Sequence, residues 1–528
     1  MRKALSLTKA NDLYLVSLIL LLTVGAIAQQ LHFSIGLILT EVLCIFLPAY
    51  GMLRWQKVEI KTSTRLRWPG WGVALLSLVL GLAAWQVGAL LDGLMAHWLG
   101  YSPGLPPNAL PQTAAQALLY FIGLAVFPPL CEEFLFRGVL MRSWERKSAR
   151  VALWVGSLLF AFYHLRLQGL VGLLPVAFLL SYLVLRSDSL VSGMLAHFAN
   201  NALAVVYVVL SIQRPDIRLP FPSLPLAVVS AGVLLAGVWL LGRMTPTPPV
   251  FEPGPEPVEP AARGIVRTAP SARFLMPLIL AGVIYLFLAG YEFIGGKYPQ
   301  LVSEGNLTLQ QPALSQPLNL AYEVRNPLDE PIGSAACSLA AQAGRVELEC
   351  SKTVNAYQTR VEGSFWQSES YTEQWSAAWG GANYGLEDYQ VQFQGENSAR
   401  TYGLEKKNTG WLLTVDTPQG EHSANLLPST LVEEEWPWRL MGLDFRLGLN
   451  QKAIFLAPLR FQPNLNINGP STHDLAVTIE GAEVIRTPAG SFVAWKVRLW
   501  DEAVAWYEAA APHRLLRLEG AFEWLVLK

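Results

Sequence analysis

The feature that most limits this chain is a succession of apolar runs, each of membrane-spanning length or close to it, that fills the sequence up to about Ile294. A bilayer core about 30 Å thick takes about 20 helical residues. Lipid offers the backbone no hydrogen-bond partners, so such runs must fold as helices. The runs lie at 13–28, 35–53, 71–91, 114–140, 151–165, 170–185, 190–210, 224–241 and 274–294, roughly nine candidate spans, several of them short. Beyond them the chain is polar and aromatic-rich. Trp495, Val497 and Leu499 alternate there with Lys496 and Arg498, and Leu516 and Leu518 with Arg517 and Glu519, with Phe522 and Trp524 in the same phase. That period of two marks half-buried strands. The fold class expected is an all-α polytopic membrane helix bundle followed by a C-terminal mostly-β soluble domain, a twisted antiparallel sheet or partial barrel large enough to bury its own core.

Basic residues orient the bundle. Arg54, Lys57, Lys61, Arg65 and Arg67 fall in one loop, and Arg142, Arg146, Lys147 and Arg150 in another; the positive-inside rule makes both cytoplasmic. The loops at 29–33 and 101–112 carry no Lys or Arg, in agreement, while Arg166, Arg214 and Arg218 lean the other way. The first run follows Arg2, Lys3 and Lys9 and ends in Ala26-Ile27-Ala28, marks of a cleavable signal peptide or, the preferred reading, of a retained first span. The organisation expected is an N-terminal transmembrane hairpin (1–70), a helix bundle (71–243), a Pro-rich cytoplasmic linker (244–273), a final transmembrane helix (274–296) and a mostly-β extracytoplasmic domain (297–528). On that side a Cys337–Cys350 disulfide is reasonable, whereas Cys44 and Cys131 sit in apolar runs. The net charge of −1 leaves no basic patch for a nucleic acid.

Within the apolar runs a few polar residues stand out, the first of them in Cys131-Glu132-Glu133-Phe134-Leu135-Phe136-Arg137. Ionisable groups at membrane depth are costly and mark function by default. On a helix Glu133 and Arg137 share a face at i and i+4, within ion-pair reach, while Glu132 points about 100° away from Glu133. One carboxylate is then structural and its neighbour is free for chemistry. Phe160 and His164 share a helix face in the next run, as do His197 and Asn201 two runs later. At about 1.5 Å per residue, Glu132, His164 and His197 lie very roughly 12 to 21 Å below the same cytoplasmic surface. Facing helices of a bundle can therefore gather them into one pocket.

The order Glu-Glu-x-x-x-Arg, Phe-x-x-x-His, His-x-x-x-Asn on separate spans resembles the CPBP family of intramembrane proteases. That family includes the type II CAAX prenyl endopeptidases and bacterial relatives linked to bacteriocin maturation and self-immunity. The resemblance covers roughly residues 114–210 and carries catalytic roles onto Glu132, Glu133, Arg137, His164, His197 and Asn201. It implies that Glu132 acts with His164 to activate a water, and that His197 and Asn201 face the developing oxyanion. It implies peptide-bond hydrolysis without a covalent intermediate, in membrane-associated protein or peptide substrates, by an integral protein of the bacterial cell membrane. The tail would engage an extracytoplasmic partner. Glu132, His164 and His197 are also a donor set for a catalytic zinc. The chain lacks His-Glu-x-x-His and an all-protein mechanism accounts for every residue, so the metal is not favoured. The competing function is a non-catalytic membrane scaffold or immunity protein using the same polar pocket; a transporter ranks lower, lacking paired broken helices.

Other residues read as structural. His97 beside Trp98 suits an interface, Pro128 and Pro129 loosen the helix ahead of the glutamates, and Trp366, Trp375 and Trp379 read as core before groove. His422, His473 and His513 show no ligand spacing.

Overall fold

The computed structural model describes residues 4–101, 105–214, 223–245, 272–456 and 472–528, apart from 343, 362–363, 382–383, 397, 408–409, 418–419, 428, 433 and 500–502. The expected linker at 244–273 falls largely outside these residues. The chain divides into two compact units, Met1–Ser102 with Asn108–Lys297, and Pro103–Pro107 with Tyr298–Lys528.

The first unit is helical. Eight of its described helices are long and apolar enough to cross a membrane: α1 (Leu7–Leu31), α2 (Phe33–Trp55), α3 (Trp71–Leu99), α4 (Ala114–Trp144), α6 (Leu170–Ser187), α7 (Leu190–Gln213), α8 (Leu224–Met244) and α9 (Arg273–Lys297). The shorter apolar helix α5 (Ala149–Tyr163) completes the set, so each expected run is a helix. Local signals set their starts. Thr113 and Gln116 form a capping box at the head of α4, and Ser148 accepts from the Val151 N–H at the head of α5.

Packing explains why the first run belongs to the bundle. Tyr14 of α1 donates to the Leu159 carbonyl at 3.1 Å, and Ser17 meets the Tyr163 hydroxyl at 2.8 Å. Tyr14, Phe136, Phe160 and Tyr163 pack edge to face or tilted, with ring centroids 5.2–6.4 Å apart. The 1–70 hairpin and the later helices thus share one core. At one end of the unit Arg65 grips Glu145 through two bonds of 2.7 and 2.6 Å, Arg142 joins the same carboxylate, and Asp188 pairs with Arg65 and Arg67. The loops that carry most of the basic residues are therefore tied together. On another side α3 crosses α7 at Gly81, where a Cβ would come within 2.0 Å of the Ala196 carbonyl oxygen. Only glycine permits that approach, which seats the turn bearing His197.

The second unit is a 14-stranded antiparallel sheet with a separate two-stranded hairpin. Its first strand, β1 (Leu318–Arg325), pairs with β2 (Pro331–Gln342) on one side and with the last strand, Trp524–Leu527, on the other. β2 pairs with β3 (Arg345–Val354), and Cys337 and Cys350 are joined across that ladder as a disulfide. A one-turn helix, Trp436–Arg439, is fully buried: Trp438 packs 5.7 Å from Trp375 and 6.4 Å from Tyr322, and Tyr507 donates to the Pro437 carbonyl. Glu435 at its start accepts from Trp379 Nε1 at 2.8 Å, while burial pushes the Glu435 carboxyl above the ordinary range. The alternation expected at 495–499 holds, with Trp495, Val497 and Leu499 buried. At 515–519 a register shift puts both Leu515 and Leu516 in the core, and Phe522 falls in a turn rather than a strand.

Candidate active site

The polar residues singled out from the sequence converge in the helical unit from three helices. Pro128 and Pro129 have no N–H, so the Leu124 and Ala125 carbonyls lose their usual donors four residues on, and α4 widens to π winding over Ile122–Val126 and again over Phe134–Met141. The Asn201 side chain of α7 donates to the freed Leu124 carbonyl at 2.9 Å, and the Asn200 amide donates to Asn201 Oδ1 at 3.0 Å. The two prolines thus create the acceptor that fixes Asn201.

The two adjacent glutamates have different environments. Glu133 accepts from Arg137 at 2.8 Å, and neither side chain is exposed. Arg137 also donates to the Ala177 carbonyl at 3.0 Å and to Ser181 at 3.4 Å on α6, and its guanidinium lies 4.2 Å over the Phe160 ring. Each of the three guanidinium nitrogens thus has a partner, which makes the ion pair a fixture. The same Glu133 oxygen stands 3.0 Å from Nδ1 of His197. A carboxylate paired with arginine only accepts, so Nδ1 carries a proton, and in the neutral ring Nε2 presents a lone pair. That lone pair faces Glu132 Oε2 at 3.7 Å. Two acceptors at that distance are not hydrogen-bonded to each other, and a water lying to one side of the pair can donate to both. The buried Glu132 Oε2 has no hydrogen-bond partner. Gly193, one turn before His197, lets the helices close: a Cβ there would lie 2.8 Å from Glu133 Oε2.

His164, at the C-terminal end of α5, holds Nδ1 3.0 Å from the Phe160 carbonyl, which makes Nδ1 the donor and leaves Nε2 as an acceptor. Its ring lies 5.0 Å from the Phe160 ring and that of His197 5.7 Å, so both imidazoles and Arg137 flank one phenyl group. The structure sets His197 3.7 Å from Glu132, and His164 on α5 beside the Phe160 ring that both imidazoles flank. Among the described residues no group of three His, Cys, Asp or Glu side chains is placed to hold a metal ion. Glu132, His164 and His197 are not gathered as a zinc site in this arrangement.

Residues 114–203 match the Rce1-like family, described as type II CAAX prenyl endopeptidase Rce1-like. The segment is similar to that family. It spans less than a fifth of the 528 residues and contains all six candidate site residues. No match is found among curated proteins or among solved structures. The family is one of CAAX-type intramembrane proteases, which agrees with a multi-pass membrane protein whose Rce1-like helices enclose a polar cluster.

One buried carboxylate was missed. Glu41 of α2 is 6 % exposed and its Oε2 has no hydrogen-bond partner. On the same pair of helices Phe46 packs 5.1 Å from Phe134, and Gly123 abuts Ser34, which puts Glu41 within about one helical turn of the level of Glu132. The signal was present, a lone glutamate inside an apolar run.

The residues read as structural sort as follows. His97 and Trp98 are exposed at the end of α3. Trp375 and Trp379 are core, and His513 caps the Glu508 carbonyl beside Phe445. The side chains of Trp366, His422 and His473 lie outside those described.

Proposed function

We propose that this protein is an intramembrane endopeptidase that hydrolyses peptide bonds of membrane-associated substrates with a glutamate-activated water. The observation that carries the reading is the split between two adjacent buried glutamates: Arg137 neutralises Glu133, while Glu132 is left facing the unprotonated nitrogen of His197. A water that donates to both Glu132 and His197 gives its proton to Glu132 as its oxygen attacks the carbonyl carbon. Glu132 passes the proton to the leaving amine as the C–N bond breaks. His164 Nε2 supplies a second acceptor for orienting that water. The free N–H of the Asn201 amide donates to the oxyanion, with Asn201 held in place by Leu124. Glu133 and Arg137 serve as the rigid frame.

The Lys- and Arg-rich loops support a cytoplasmic Arg65–Glu145 end and an extracytoplasmic second unit, in a bacterial cell membrane. That domain engages a partner or presents substrates there. Prenylated CAAX proteins are the substrate class that the family description names. The chemistry is tested with membranes carrying the native chain in H₂¹⁸O containing hydroxylamine. Direct attack by water labels the new carboxyl termini and yields no hydroxamate; a hydroxamate at the cleavage site would show an acyl-enzyme and overturn the mechanism.

A further inference from the structure

The loop that follows His164 is out of the ordinary for its place in the fold. At about 1.5 Å per residue, the 15 residues of α5 rise about 22 Å, short of a bilayer core. The chain then turns through Leu165, whose φ is +54°, and re-enters α6 at Leu170. Irregular backbone at such depth needs partners from the protein itself. The structure supplies them from α9. Glu292 accepts the backbone N–H of Leu167 at 2.6 Å and of Gln168 at 2.9 Å, and the Tyr101 hydroxyl donates to the same carboxylate at 3.3 Å. Two helical turns earlier Tyr285 packs 4.8 Å from Phe162, so one face of α9 grips both sides of His164. Leu167 and Gln168 lie three and four residues beyond the histidine, and no other carboxylate is placed on their amides among the described residues.

We infer that Glu292 is a positioning residue for His164: the last membrane helix, which lies outside the Rce1-like segment and runs at Lys297 into the second unit, fastens the catalytic loop by two charge-assisted bonds to its backbone. The inference rests on the endopeptidase reading for its consequence but not for its geometry. Asp92 of α3 provides the contrast: its carboxylate accepts the Gly172 N–H at 3.2 Å in α6 and its carbonyl accepts from the Gln168 side chain at 3.1 Å, but it takes neither backbone amide that Glu292 holds.

The test uses the full chain in membranes, with Glu292→Ala, Glu292→Gln, Asp92→Asn and Glu132→Gln. It reads amide hydrogen exchange at 165–169 and the rate at which Glu132-dependent protein termini form. Glu292→Ala should speed exchange at Leu167 and Gln168 and slow the termini about tenfold or more, the scale of losing bonds to a charged acceptor. Glu292→Gln, which keeps one acceptor and the side-chain volume, should recover part of both, and it carries the test if the alanine variant does not fold. Asp92→Asn should lower the unfolding temperature and keep the rate near native. Unchanged exchange in Glu292→Ala overturns the inference, as does faster exchange at native rate, or an equal rate loss in Asp92→Asn. If Glu132→Gln itself cleaves like the native chain, the endopeptidase reading fails, while the exchange data still decide whether Glu292 holds the loop.

Discussion

Adjacent glutamates should respond in opposite ways to the same isosteric change. In Glu133→Gln the Arg137 guanidinium, 1 % exposed, keeps only neutral acceptors, the Ala177 carbonyl, the Ser181 hydroxyl and the new amide oxygen, and His197 loses the carboxylate that orders its ring. Stranding one member of a buried ion pair costs about 3–5 kcal/mol. In Glu132→Gln no protein hydrogen bond to Oε2 is lost, and a buried carboxylate is replaced by a neutral amide, so stability should stay within about 1 kcal/mol of native or rise. Both variants should lose proteolysis, so activity alone does not separate them. Denaturant or thermal unfolding of the purified chain in lipid nanodiscs does. A Glu133→Gln protein as stable as the native one, or a Glu132→Gln protein that falls by a similar amount, would refute the assignment of frame to one and chemistry to the other.

Further consequences can be measured separately. Gly193→Ala drives a methyl group toward Glu133 Oε2 and Val184, and should cost about 1–3 kcal/mol together with most activity, read by unfolding and by cleavage rate. Pro128→Ala restores an N–H that competes for the Leu124 carbonyl; activity should fall well before stability does, and Asn201→Ala should reproduce the loss without adding to it in the double variant. Removing the Cys337–Cys350 link by a double serine substitution should lower the stability of the β unit by about 2–4 kcal/mol, read as a lower unfolding midpoint that reductant no longer shifts. A tag on the C-terminus should be digested by protease added to intact spheroplasts; protection of the tag would reverse the assigned orientation.

Much of this architecture was legible because lipid permits few solutions: every long apolar run became a helix, and the i, i+4 spacing of Glu133 and Arg137 became a 2.8 Å ion pair. The side on which His197 bonds was not legible. Helical spacing places a residue on a face, whereas the bond between His197 and Glu133 depends on how α7 crosses α4, and that crossing is set by Gly193 and by Gly81 against Ala196. Glu292 escaped notice because its partners are backbone amides, which carry no sequence signal. In the β unit, alternation located Trp495 to Leu499 but missed the shift at Leu516, since a bulge alters the phase without altering the composition.

The central claim is that Glu132 is the base that activates water. Terminal-peptide mass spectrometry of membranes tests it most directly, with cells carrying the native chain, the Glu132→Gln chain or no copy of the protein. The account predicts protein termini that appear only with the native chain and are lost equally in the other two. Termini that persist with Glu132→Gln and vanish only on deletion would contradict catalysis by Glu132. Termini identical in all three strains, with a defect confined to the deletion, would make the protein a membrane scaffold.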